Sequence, residues 1–103
     1  MSTLEEAAET AVVQCLGVEP GETCVVVTDD KRERIGEALY AAASDVTDDA
    51  TILRYPPGGQ HGAEPPAPVA AAMRESDVFL APTTKSLSHT RARSRANEAG
   101  ARG

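Results

Sequence analysis

The sequence predicts an α/β fold, a small three-layer Rossmann-like or flavodoxin-like half-fold of about three parallel strands flanked by four helices. Three observations predict it. Stretches with apolar residues at helical spacing alternate with short β-branched runs, in the order α-β-α-β-α-β-α, and strands that alternate with helices pair in parallel. The run Thr23-Cys24-Val25-Val26-Val27-Thr28 is too continuously apolar for a half-exposed strand and reads as a central strand covered on both faces. The breaks between segments are built from Pro, Gly and Asp. With 103 residues, the chain has room for one such domain, spanning 1–103.

The first helix is expected to start at Ser2 or Thr3, because Ser2 with Glu5 and Thr3 with Glu6 both have capping-box spacing. Leu4, Ala7, Ala8, Ala11, Val12, Cys15 and Leu16 then share a face, and Gly17 stops the helix. After the first strand, Asp30 and Glu33 have the spacing of a second capping box. The helix that follows is expected to bury Ile35, Ala38, Leu39, Ala42 and Val46. A second strand covers Ala50 to Arg54 or Tyr55. Pro56 to Pro66 holds four Pro and three Gly, which forbids regular structure. A third helix, Ala67–Glu75, should turn Val69, Ala72 and Met73 inward, ahead of a third strand at Asp77–Ala81. The last helix, about Ser86 to Ala99, carries Ala92, Ala96 and Ala99 on one side, with Gly100 as its stop. Gly103 falls where a fourth strand would begin, as in the opening of a larger α/β protein.

Composition narrows the function. Hydrophobic residues make up 41 %, mostly Ala and Val, with one Phe, two Tyr and no Trp. The core is therefore thin. Net charge is −6, split between −10 over residues 1–84 and +4 over 85–103. The acidic body disfavours nucleic acid as a partner, and no aromatic side chains interleave the basic tail to stack bases. No membrane-spanning run or signal peptide is visible, which predicts a cytoplasmic protein without a membrane partner. Acid excess with two Lys against eight Arg is a halophilic-type composition. The fold should then melt at a higher temperature in molar salt, and equal melting temperatures in low and high salt would disprove this. Cys15 and Cys24 sit in apolar surroundings and read as small buried hydrophobes, and their spacing does not make a zinc site.

In open parallel sheets, ligands bind beyond the carboxyl ends of the strands. Three segments lie there. The strongest runs from Pro82 through Thr83-Thr84-Lys85-Ser86-Leu87-Ser88-His89-Thr90-Arg91-Ala92-Arg93, between a strand and a helix. Lys85, Ser86, Ser88, His89, Thr90, Arg91 and Arg93 could line a cleft or hold an anion at the helix start. The same residues could equally be a capped, solvated helix start. Asp29 at the end of the first strand and His61 in the Pro/Gly loop are weaker candidates, for which capping and solvation are the competing readings. The chain has no G-x-G-x-x-G, P-loop, G-x-S-x-G or H-E-x-x-H motif, so no catalytic set can be assembled from it.

Several segments together resemble a known family. They are Cys15-Leu16-Gly17-Val18-Glu19-Pro20-Gly21-Glu22, Val25–Asp29, Ile35–Leu39, Glu64-Pro65-Pro66 with Val69–Met73, and above all Ala81–Arg93 followed by Glu98–Arg102. These stretches are similar to the N-terminal region of aminopeptidase T-like (leucyl aminopeptidase-like) metallopeptidases, whose relatives include ring-cleaving dihydroxypyridine dioxygenases. The resemblance implies a two-domain metalloenzyme whose divalent metal is bound by the C-terminal half. No metal ligand or other cofactor carries over to a position here, so this chain alone is expected to be an inactive fragment whose partner is that half. The alternative is a stand-alone, non-catalytic binding module with an anion-binding helix start at Lys85–Arg91, one that self-associates through an open sheet edge.

Overall fold

The computed structural model describes residues 3–56, 64–82 and 91–103. The chain begins with a capping box: the Thr3 hydroxyl accepts from the Glu6 amide at 3.1 Å, and Glu6 Oε2 accepts from the Thr3 amide at 3.3 Å. Helix α1 (Leu4–Glu9) follows and continues as a π-helical stretch over Thr10–Cys15. There the Leu16 amide reaches back five residues to the Ala11 carbonyl, at 3.1 Å. This widening changes which residues face inward. Ala8 and Val12 are buried as the spacing predicts, but Cys15 is exposed, not a buried hydrophobe, because a wider turn rotates it off the apolar face. Gly17 ends the stretch at φ +60°, where a Cβ would be strained.

Strand β1 (Cys24–Asp29) is buried at every residue. It pairs in parallel with β2 (Ala50–Tyr55) on one side and β3 (Val78–Leu80) on the other, so the sheet order is β2-β1-β3. Side chains alternate across the sheet. Cys24, Val26 and Val78 face α1 and α2 (Glu33–Val46), and pack with Ala8, Val12, Val18, Leu39 and Ala43. Val25, Val27 and Phe79 face α3 (Ala67–Glu75) and α4 (Arg91–Glu98), and pack with Val69, Met73, Ala92 and Ala96. Full burial of each valine contributes about 1.5–3 kcal/mol, so the three central valines hold the two outer layers to one strand. The result is three parallel strands between two pairs of helices.

Several details differ from the spacing argument. The buried stripe of α2 is Gly36, Leu39 and Ala43, and Ile35 is 36 % exposed. The helix lies so close to β1 at Gly36 that the stripe is rotated by about one position. Asp30 does not cap α2. The N-cap is Arg32, which makes no side-chain cap, and Asp30 pairs instead with Arg54 at 3.3 Å. Strand β3 is shorter than the predicted Asp77–Ala81, since its ladder with β1 runs only from Val78 opposite Cys24 to Leu80 opposite Val26, while the Asp77 carboxylate accepts from the Thr23 amide at 2.9 Å. Ala99 is exposed, since α4 ends at Glu98 and the chain turns at Gly100 (φ +105°). The predicted helix start at Ser86 lies outside the described residues. Arg102 then forms a parallel bridge with Val78, in the position where a fourth strand was expected.

Arg102 also ties distant parts of the chain together. Its guanidinium donates to both carboxylate oxygens of Glu22 at 2.7 Å and to the Leu16 carbonyl at the end of the first helix. The bond from Arg102 is the main reason that the Glu22 carboxyl falls from its usual 4.5 to about 2. A carboxyl lowered by folding stabilises the fold fully above its unfolded value and loses that contribution as pH falls from about 4.5 towards 2. The wild-type melting temperature should drop across that window, and Glu22→Gln should flatten part of the drop. Parallel curves for the two proteins from pH 6 to 2.5 would show that the pair contributes nothing.

The two thiols should differ in reactivity. Burial pushes the Cys24 thiol up to about 11, with the Glu22 charge adding to the effect. Since only the thiolate attacks, a disulfide reagent should modify Cys15 at once and Cys24 only after unfolding. Two equivalents reacting at the same rate under native conditions would contradict the burial of β1.

Candidate functional site

The carboxyl edge of the sheet is formed by the ends of β1, β2 and β3, with the start of α4 beside them. Thr28 is fully buried there, and its hydroxyl lies 2.9 Å from the Arg32 carbonyl and 3.2 Å from the Pro82 carbonyl. It thereby links the end of β1 to the start of α2 and to the segment leaving β3. Asp29 is 1 % exposed. Its Oδ1 accepts from the Lys31 and Arg32 amides at 3.1 and 3.0 Å, closing the turn into α2. Asp29 thus holds the turn ahead of α2 and does not replace the cap predicted for Asp30, since the N-cap Arg32 carries no side-chain cap bond. Tyr55 sits opposite Asp29 in the ladder, and its hydroxyl is raised above its ordinary value by burial and then by the Asp29 charge.

The first described turn of α4 has its own internal anion. Glu64 accepts from the Arg91 amide at 2.8 Å and from the Ala92 amide at 3.0 Å, one bond to each carboxylate oxygen. The bond from Arg91 leads in lowering the Glu64 carboxyl below its ordinary range. A carboxylate at a helix N-terminus satisfies orphan amides and meets the positive end of the dipole. Those two amides therefore already have a partner within the chain. Arg91 is exposed, and Arg93 reaches the Gly103 carbonyl at 3.2 Å.

Of the residues the sequence singles out, Asp29, Arg91 and Arg93 are on this edge or on the helix beside it. Lys85, Ser86, Ser88, His89, Thr90 and His61 lie outside the described residues. Thr28, which the sequence places beside Asp29 in the same segment, gains a part in the frame, and the structure adds Tyr55 and Glu64 to it. The Thr28 bond to Arg32 is local, but its bond to Pro82, 54 residues on, depends on where the chain returns. Glu64 stands 27 residues from Arg91, so no local spacing reveals the cap.

Among the described residues, no three His, Cys, Asp or Glu side chains are grouped so as to hold a metal ion. The hydroxyl and carboxylates of this edge are engaged with backbone amides and carbonyls, which makes it a rigid frame. No described helix is long and apolar enough to cross a membrane. Comparison of the chain with protein-family models, with curated proteins and with solved structures found no match.

Proposed function

We propose that the chain is the N-terminal α/β portion of an aminopeptidase T-like metallohydrolase, non-catalytic by itself, with its carboxyl edge turned towards a separate metal-binding half. The observation that carries this reading is the Ala81–Arg93 segment, which lies between the end of β3 and the first turn of α4. In parallel sheets that connection borders the ligand cleft. On this reading Lys85, Ser86, Ser88, His89, Thr90, Arg91 and Arg93 are the candidates to line that cleft, and the divalent ion belongs to the other half. The framework of Thr28, Asp29 and Glu64 supports the reading by fixing the positions from which that segment departs and returns.

The test is to purify the chain, mix it with the separately produced metal-binding half of a complete aminopeptidase T-like enzyme, and supply zinc, cobalt or manganese. The chain alone should release no product from aminoacyl anilides. The mixture should co-elute, and Arg91→Ala with Arg93→Ala should weaken the association. Hydrolysis by the chain alone would overturn the claim of inactivity. Two folded halves that never associate would overturn the family reading.

A further inference from the structure

In the order β2-β1-β3, strand β2 lies on the outside of the sheet, and its partner among the described residues is β1 alone. A cleft of about 570 Å³ runs along it, lined by Ile52 and Arg54 of β2, Thr28 of β1, and Glu33, Glu37 and Tyr40 of α2. Residues four and three apart share a helix face, which is why Glu33, Glu37 and Tyr40 form one wall. Ile52 and Arg54 are two apart on the strand and form the other. Arg54 is already neutralised, with Nη1 2.6 Å from Glu33 and Nε 3.3 Å from Asp30. Of the charged residues that line the cleft, Glu33 and Glu37 stand against Arg54, an excess of one negative charge, and with Glu33 paired to Arg54 that excess sits at Glu37. Asp30, Lys31, Arg32 and Arg34 are nearby in sequence but do not line the cleft.

We propose that the outer edge of β2 accepts an extended, basic segment of another protein as an added strand, with a lysine or arginine against Glu37 and an apolar side chain on Ile52. An outer strand offers unpaired backbone groups, and a peptide that adds to it gains a ladder of main-chain hydrogen bonds. Its side chains alternate, so every second one enters the cleft. Glu37, the carboxylate of the lining that Arg54 does not pair, selects their charge. A second copy of the chain is the poorer occupant, because two chains of net charge −6 repel each other.

The experiment titrates isotope-labelled protein with a peptide of alternating Lys and Val, and separately with one of alternating Glu and Val. The Lys/Val peptide should give saturable amide shifts confined to Ala50–Tyr55 and to Glu33–Tyr40, weakening as salt is added. The Glu/Val peptide should give none. Glu37→Lys, at an exposed position, should weaken Lys/Val binding by about tenfold while its melting curve matches the wild type. Equal binding of both peptides, no binding of either, shifts elsewhere, or an unchanged affinity in Glu37→Lys would each overturn the proposal. So would a concentration-dependent dimer whose β2 shifts no peptide displaces. None of these outcomes bears on association with a metal-binding half, so this proposal and the family reading fail independently.

Discussion

Gly36→Val should abolish the cooperative melting transition. A Cβ at position 36 would lie 2.6 Å from Thr28 Cβ and 2.8 Å from both Thr28 Cγ2 and Oγ1. Thr28 cannot give way, because it is fully buried in the central strand and its hydroxyl is bonded at Arg32 and Pro82. The helix would have to lift off the sheet, taking Leu39 and Ala43 with it. Even Gly36→Ala should destabilise the fold. Its helix-propensity gain is about 0.5–1 kcal/mol, against an overpacking cost of about 1–3 kcal/mol. Valine adds two more methyl groups and a poorer helix former to the same contact. Gly21 is the control, since nothing lies within 4 Å of its Cβ position and its φ is not in the left-handed region. Circular dichroism melts of the three variants decide the matter. A Gly36→Ala protein as stable as the wild type would show that α2 does not sit this close to β1.

Met73→Ala should be the most damaging truncation. Met73 is 0 % exposed and is the largest fully buried side chain among the described residues. It packs from α3 into the cluster of Val25, Val27, Val69, Phe79, Ala92, Ala96 and Ala101. Truncating a buried Met costs about 2–5 kcal/mol, and the cost depends on how well the site can collapse. Three of the seven neighbours are alanines, which have no side chain to swing into the space, so the upper half of that range is expected. For a domain of this size the melting temperature should fall by more than about 10 °C. Met73→Leu, which nearly conserves volume, should lose less than about 1.5 kcal/mol. Val13 is 46 % exposed, and Val13→Ala should be close to neutral. A Met73→Ala loss no greater than that of Val13→Ala would refute the packing described here.

Local rules were sufficient wherever the deciding contact was local. The Thr3–Glu6 box, the ends of α3, the fully buried β1 and the positive-φ stops at Gly17 and Gly100 all follow from residues within a few positions of one another. The departures have longer reach. Apolar spacing presupposes 3.6 residues per turn, so it cannot register the π-helical stretch that turns Cys15 outward. The phase of α2 is set by Gly36 against Thr28, and that contact exists only once the helix lies on the strand. Asp29 and Asp30 are equally good cap residues by type, yet neither caps α2: the first closes the turn before it and the second pairs with Arg54. Burial of the first and the pull of Arg54 on the second separate them. Glu64 on α4 and Arg102 on Glu22 join segments that only the folded topology brings together. For the candidate site, the sequence pointed to the carboxyl edge of the sheet, and Asp29, Arg91 and Arg93 are the named residues that fall on the described part. The frame of that edge is local where Thr28 and Asp29 bond Lys31 and Arg32, and long-range where Thr28 meets Pro82 and Glu64 meets Arg91 and Ala92, contacts that local patterns do not encode.

The all-parallel sheet has a consequence for how the chain is made. Cys24 of β1 stands opposite Ala50 and Val78, so no strand pair can be closed by a hairpin. Pairings this far apart in sequence slow folding. On a ribosome adding about 5–20 residues per second, the valines of β1 would wait roughly 1–5 s for β2 and longer still for β3. Throughout that interval the most apolar run of the chain has no partner. The acidic residues around it, including Glu19, Glu22, Asp29 and Asp30, then have a task before any fold exists: keeping one nascent chain from the next.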